Sequence, residues 1–424
     1  VLNNSVPNAW ALPGGKIAIN RGLLTEMNSE AELAAVLGHE IVHAAARHTA
    51  KQMTKGMLMQ GLVVGTAIAT NDSSYGDLAV GGASVAAQLI TQRYGREAEL
   101  ESDKYGMRYM SKAGYDPQGA VALQETFVRL SEGRNQDWLS GLFASHPPSQ
   151  ERVNANKKTA GKLPAGGTMG ADRFRLAMQK TLDTKPAYDA YDEGRKALSE
   201  KNADEALVLA NKALDLYSNE AHFHALRGDV RSFNKQFDMA VTNYDRAVSR
   251  RSNFFYYHLQ RGLAKNELGQ QDSAVTDLEN SLQLLPTAPA HYTLGTIKEQ
   301  RGDTAAAVEH YKVVAQGGGS YGKAAYGRLA RLELPSQPGN YVGRRCDVGN
   351  NGRLIVSVRN DAQIAVRDVQ IVVDYTDSNG RPEQLRRNIG GRLEPGEVAS
   401  ADTGLGPYSG ADCPVRVVGA RVAD

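Results

Sequence analysis

The chain has 424 residues, of which 41% are hydrophobic and 23% charged, the balance of a globular protein. That length exceeds what one compact core can fill and implies about two to four domains. With 49 basic against 47 acidic side chains and no dense basic run, no field draws the chain to nucleic acid, and that class of partner is excluded.

The chain begins at Val1 without an initiating methionine, so any targeting segment, such as a signal peptide, is expected to lie upstream and to be absent from it. Ala9-Trp10-Ala11-Leu12 and Lys16-Ile17-Ala18-Ile19-Asn20 flank Pro13-Gly14-Gly15 and predict two strands joined by a tight turn. Asn8, Ala9, Trp10 and Ala11 form the candidate edge on which an extended peptide adds as a further strand. The other reading is that the hairpin only packs the helix that follows.

Ser29 and Glu32 have the spacing of a capping box, and Leu33, Val36, Leu37 and Ile41 recur at helical spacing, predicting a helix from about Glu30 to His48. Within it lies His39-Glu40-Ile41-Val42-His43. At 3.6 residues per turn the two histidines share a face about 6 Å apart, so both imidazoles can reach one Zn2+ while Glu40 reaches a water beside it. Ile41 and Val42 are uncharged, as a buried helix requires.

Gly56 to Ala69 is the longest apolar stretch, about fourteen residues against the roughly 20 needed to span a bilayer. A packed helix near the site is expected there, with peripheral membrane contact by residues 56–90 as the alternative.

A catalytic zinc takes three protein ligands and keeps one position open. His48 is turned about 140° from His43 on a continuous helix, and the two cysteines are remote. An acid on a second helix, Arg96 to Met110, is therefore expected to complete the site. Glu97, Glu99, Glu101 and Asp103 are available, with Glu99, Asp103, Gly106 and Met110 on one face and Ser102 with Gly106 leaving room for close approach.

Residues 1–156 are the first expected domain, followed by a linker and connecting helix over 157–186. From Ala187 the chain repeats. Gly194, Gly228, Gly262 and Gly295 are spaced 34, 34 and 33 apart, and Ala206, Ala240, Ala274 and Ala307 each follow by twelve. The period is that of tetratricopeptide repeats, with four repeats and a capping helix over 187–335. After Pro335 there is no lysine, and strand-like runs separated by Asp377-Ser378-Asn379-Gly380 and Glu394-Pro395-Gly396 predict a β-sandwich over 336–424. Its Cys346 and Cys413 are expected to pair, which places the chain in an oxidising compartment.

Four motifs in order carry a resemblance: Asn8 to Gly15, the histidine motif, Tyr94 to Asp103, and His146-Pro147 with Arg152. They resemble the zinc metallopeptidase family of HtpX and the CAAX-prenyl endopeptidases, over most of residues 8–153. Gly95 and Ser102 depart from it where serine and alanine are frequent. The resemblance implies an α+β zincin-like domain binding one Zn2+ per chain, His39, His43 and Glu99 as ligands, and Asp103 as a partner of the site. It implies Glu40 as general base, and His146 and Arg152 in stabilising or orienting roles. His146 could alternatively occupy the open zinc position and hold the site inactive.

A metallopeptidase domain followed by tetratricopeptide repeats is similar to the periplasmic β-barrel assembly-enhancing proteases of Gram-negative bacteria. That similarity implies a periplasmic zinc metalloendopeptidase of protein quality control. Its substrates would be unfolded or misassembled envelope proteins, and its repeats would dock clients or the outer-membrane assembly machinery. The alternative is a repeat-based chaperone or adaptor whose zinc domain is plugged or inactive.

Overall fold

The structure is a computed structural model that describes residues 1–12, 14–48, 51, 94–133, 146–410 and 413–423. The chain divides into two compact units, Val1–Leu268 and Gly269–Asp424. The apolar stretch 56–69, and with it the membrane-contact reading of residues 56–90, lies outside the described residues, as does Pro13 of the hairpin turn. Among the described residues no helix is long and apolar enough to cross a membrane.

The first unit opens with strands β1 (Ala9–Leu12) and β2 (Lys16–Ile19), antiparallel with Ala9 opposite Ile19. Gly14 and Gly15 turn the chain at φ of 90° and 80°, a conformation that costs other residues a Cβ clash. After the short helix α1 (Arg21–Leu24) comes α2 (Glu30–Ala45). Ser29 caps α2 by accepting from the Glu32 amide at 3.2 Å, and the Glu32 carboxylate reaches back to the Asn28 amide at 2.9 Å.

The helix does not run to His48. It ends at Ala45, and Arg47 takes a positive φ of 56°, the left-handed conformation that closes many helix C-termini. The chain therefore reverses and carries His48 back toward the helix instead of onward around it.

Helices α3 (Arg96–Lys112), α4 (Gln118–Gly133) and α5 (Gln150–Ala160) complete the site domain. Their core is built from Ala31, Val36, Met107, Met110, Leu123 and Phe127. Helix α5 extends through residues 157–160, where the sequence reads as linker. Next, α6 (Ala171–Asp183) and α7 (Lys185–Ser199) are nearly continuous, with Pro186 in the first turn of α7. Proline is tolerated there because that amide has no helical acceptor. Arg21 ties α1 to α7, donating to Asn3 at 3.0 Å and Asp192 at 3.1 Å while lying 4.3 Å above the Tyr188 ring.

Helical hairpins follow: α7 with α8 (Ala203–Leu216), then α9 (Ala221–Phe233) with α10 (Phe237–Arg250), then α11 (Phe255–Glu267). In the second unit α12 (Gln271–Leu284) precedes the hairpin of α13 (Ala288–Gln300) and α14 (Thr304–Ala315), and α15 (Gly319–Glu333) follows. The glycine and alanine register has a packing cause. A Cβ at Gly228 would stand 2.6 Å from the Tyr244 ring, and one at Gly295 would stand 2.6 Å from the Tyr311 ring. Ala206, Ala240, Ala274 and Ala307 are fully buried.

The final module is a sandwich of two three-stranded antiparallel sheets. One has β3 (Val342–Val348), β4 (Leu354–Asn360) and β7 (Val398–Asp402) in the order β3-β4-β7. The other has β5 (Val366–Thr376), β6 (Pro382–Leu393) and β8 (Val415–Val422) in the order β6-β5-β8. Val356, Val358, Val369, Ile371 and Val373 fill the space between them. Cys346 of β3 is disulfide-bonded to Cys413, just ahead of β8, so the bond joins one sheet to the other. The fold is thus multidomain: an α+β domain carrying the histidine motif, an all-α run of tetratricopeptide-like helical hairpins, and a C-terminal all-β sandwich.

Candidate metal centre and active site

His39, Glu40 and His43 come from α2, Glu99 and Asp103 from α3, and Arg152 from the first turn of α5, whose N-cap Ser149 accepts from the Arg152 amide at 3.2 Å. His146 lies on the segment just before α5. All seven are buried, at 8% exposure or less. Helices α2 and α3 come this close because glycine faces glycine. A Cβ at Gly38 would sit 2.7 Å from the Gly106 carbonyl oxygen, and one at Gly106 would sit 2.8 Å from the His39 nitrogen.

His39, His43, Glu99 and His146 each present one donor atom, and these atoms lie within 4.8 Å of one another. His39 Nε2 is 2.9 Å from His43 Nε2 and 3.3 Å from His146 Nδ1. Glu99 Oε1 is 3.2 Å from His43 Nε2 and 3.0 Å from His146 Nδ1. A tetrahedral zinc with bonds of about 2.0–2.1 Å separates its donors by about 3.3 Å, so the spacing suits that ion. His39 Nδ1 pairs with Asp103 Oδ1 at 2.8 Å, which leaves the lone pair of Nε2 aimed into the cluster. The residues present fit a zinc ion.

The electrostatics agree. Burial opposes a charge on His39, but Glu99 and Asp103 outweigh it and raise its pKa to about 10. At His43 burial prevails over the hydrogen bond to Glu99 and, helped by His39 and His146, lowers the pKa to about 3. Burial works against ionised Glu99, yet His146 and His39 hold it well below the ordinary carboxylate value. Asp103, also buried, is lowered to about 2, chiefly by Arg152. A bound cation would take the place of the second proton that these carboxylates otherwise hold on His39.

Arg152 is committed to those carboxylates. Its Nε and Nη2 donate to Asp103 Oδ2 and Oδ1, both at 2.7 Å, and Nη1 lies 2.7 Å from Glu99 Oε2 in an ion pair not aligned as a hydrogen bond. Glu40 Oε1 lies 3.5 Å from His146 Nε2. Behind Glu40 is a cavity of about 40 Å³ lined by Ala9, Val36, Gln124, Phe127 and Asn156. Tyr94, Glu99, Pro147 and Arg152 border an open cleft of about 460 Å³.

The candidate peptide edge differs from its expectation. Asn8, Ala9, Trp10 and Ala11 are buried, at 9% exposure or less, although β1 pairs only with β2 among the described residues. Ile41 is 43% exposed where the sequence suggests a buried position.

Comparison with known proteins places the domain. Residues 1–160 match the model of Peptidase family M48. The chain is 34% identical over 152 residues to the mitochondrial metalloendopeptidase OMA1 of Arabidopsis thaliana, covering 36% of this chain and 29% of that protein. It is 34% identical over 159 residues to the metalloprotease YcaL of Escherichia coli K12, covering 36% and 58%. The β-barrel assembly-enhancing protease of the same organism is 25% identical over 210 residues, covering 48% of this chain and 42% of that protein. The chain thus spans well under two thirds of the length of these curated relatives. Among solved structures, a thermophilic TPR protein of Thermus thermophilus is 19% identical with a TM-score of 0.31, over 38% of this chain and 90% of that one.

His48 is the residue sequence reasoning sets aside. Its Nδ1 lies 3.1 Å from His43 Nδ1, because the left-handed Arg47 undoes the helical phase on which its exclusion rested.

Proposed function

We propose that the protein is a zinc-dependent endopeptidase of the Gram-negative cell envelope. The observation that carries this reading is the convergence of His39, His43, Glu99 and His146 donor atoms within 4.8 Å, with Glu40 between the first two on α2. His39, His43 and Glu99 would hold the ion, and Asp103 would orient His39. When bound, zinc supplies a Lewis acid for the scissile carbonyl and makes water nucleophilic near neutral pH.

The chain's own residues do the rest. Glu40 takes the proton of the attacking water and returns it to the departing amine. Arg152 keeps Asp103 ionised and pairs with Glu99, holding both carboxylates in place, which favours an orienting role over direct stabilisation of the developing oxyanion. An extended substrate adds to β1 at Asn8, Ala9, Trp10 and Ala11, so this edge, buried here, opens when substrate binds.

The compartment and clients are part of the same reading. The Cys346–Cys413 disulfide suits an oxidising space such as the periplasm. The name of the relative, β-barrel assembly-enhancing protease, points to misassembled envelope proteins as substrates, with the repeats docking clients or assembly machinery. A repeat-based adaptor with an inactive zinc domain is not favoured, since every residue type that hydrolysis needs is assembled.

The test is casein hydrolysis by the wild type and Glu40→Gln, with zinc content measured in both. Activity falls by about 10²-fold or more at unchanged zinc content if Glu40 is the base. Equal activity in two zinc-loaded proteins overturns the mechanism.

A further inference from the structure

Outside the four clustered donors, one polar chain leads from the site to the surface. His43 offers Nε2 to the cluster, 2.9 Å from His39 Nε2 and 3.2 Å from Glu99 Oε1. Its other nitrogen, Nδ1, meets His48 Nδ1 at 3.1 Å. On the far side of that ring, His48 Nε2 meets Glu101 Oε2 at 3.3 Å. His48 is buried at 6% exposure, while the Glu101 side chain is half exposed at 50%. The Ser102 hydroxyl also lies 3.5 Å from His48 Nδ1.

Only one assignment of ring protons satisfies these contacts when His43 Nε2 is a zinc ligand. A ligating Nε2 is bare, so His43 carries its proton on Nδ1 and donates it. His48 Nδ1 is then the acceptor, and the Ser102 hydroxyl can donate to the same atom. His48 therefore carries a proton on Nε2 and donates it to the Glu101 carboxylate, which can only accept while ionised.

We infer that His48 and Glu101 form a relay that fixes the tautomer and ring orientation of His43 for metal binding, as Asp103 does directly for His39. The inference rests on the zinc-site reading above. His48 is a positioning residue, because it touches neither the ion's position nor a substrate. The relay gives His43 a donor path ending in a solvated anion without adding a further carboxylate to the buried Glu40, Glu99 and Asp103. A partner that holds a ligand's second ring nitrogen typically changes metal affinity by about 10- to 100-fold.

The experiment measures the zinc dissociation constant by competition with a chromophoric chelator for the wild type, His48→Ala and His48→Gln. Circular dichroism establishes that each is folded. His48→Ala weakens zinc binding by about 10- to 100-fold. His48→Gln recovers most of it, because its amide oxygen can accept from His43 Nδ1 while its NH₂ donates to Glu101. Long-range ¹H–¹⁵N NMR of the zinc-loaded wild type shows the His43 proton on Nδ1. Unchanged affinity in His48→Ala, or a His48→Gln no better than His48→Ala, overturns the relay while leaving the zinc reading standing. If the wild type binds no zinc, both readings fall.

Discussion

Gly38 and Gly106 face each other where α2 crosses α3, so closely that a Cβ on Gly38 would lie 2.7 Å from the Gly106 carbonyl oxygen. This contact sets the distance between the histidine motif and Glu99. The next residue after Gly38 is His39, and Glu99 lies on α3 two turns before Gly106. A methyl group at the crossing must therefore separate the carboxylate from the imidazoles. Gly106→Ala is expected to cost about 1–3 kcal/mol of domain stability through overpacking. It is also expected to lower peptidase activity by about 10²-fold, the scale of a displacement near 1 Å at a catalytic centre. Thermal unfolding together with casein hydrolysis checks both, and normal activity would show that α3 does not set the ligand geometry.

Asp103 predicts a pH dependence. Its folded pKa of about 2 lies below its ordinary 3.8 because Arg152 and His39 outweigh the cost of its burial. A depressed carboxylate stabilises the fold above 3.8, and that contribution is lost as pH falls toward 2, about 2 kcal/mol in all. Asp103→Asn removes this acid-sensitive portion. At neutral pH it also leaves the buried Arg152 guanidinium short of a partner, at a cost of about 3 kcal/mol. Hydrogen exchange of the α2 and α3 amides in metal-free protein is the suitable readout, since a multidomain chain does not unfold in one step. Parallel acid profiles for the two proteins would contradict the assignment.

Much of this was legible in the sequence wherever one local rule governs. Helical phase places His39 and His43 on one face, and the 34-residue register of glycines reflects contacts such as Gly228 on Tyr244. Glu99 among four neighbouring acids is not separable by spacing alone, and only the family resemblance singles it out. His48 escaped because a single left-handed residue, Arg47, has no signature in sequence, since arginine is not a residue that favours positive φ. The hold of Arg152 on two carboxylates also escaped, because it depends on α5 packing against α3. Pro186 reads as a helix end but begins α7, since the same ring that stops one helix is accepted in the first turn of the next.

Two glycines in the second unit separate packing from propensity. Gly295 has Tyr311 where its Cβ would go, at 2.6 Å, and the Tyr311 hydroxyl is held by Glu299 at 2.6 Å, so the ring has little freedom to move. Gly295→Ala should destabilise that hairpin by about 1–3 kcal/mol. Gly327, inside α15, has nothing within 4 Å of its would-be Cβ, and Gly327→Ala should instead stabilise by about 1 kcal/mol through helix propensity. Denaturant midpoints moving in opposite directions would support the close-packed repeat, whereas a shared direction would contradict it.

His146 is placed as a fourth donor to the cluster, which sets up a test of whether the site is open at rest. Its Nδ1 lies 3.3 Å from His39 Nε2 and 3.0 Å from Glu99 Oε1, in line with the donors and not withdrawn to the cleft wall. A zinc ion held by all four of these donors would have no free position for water or substrate, and on that reading His146 would act as a latch. Such a latch would be local, because His146 precedes α5 while Ser149 and Arg152 are anchored on the helix. His146→Ala is then expected to weaken zinc binding by about tenfold through loss of one ligand. At saturating zinc the same variant should hydrolyse casein several-fold faster than the wild type. Unchanged activity at full zinc occupancy would overturn the latch, and lower activity would instead assign His146 to the chemistry, for which its Nε2, 3.5 Å from Glu40 Oε1, is also placed.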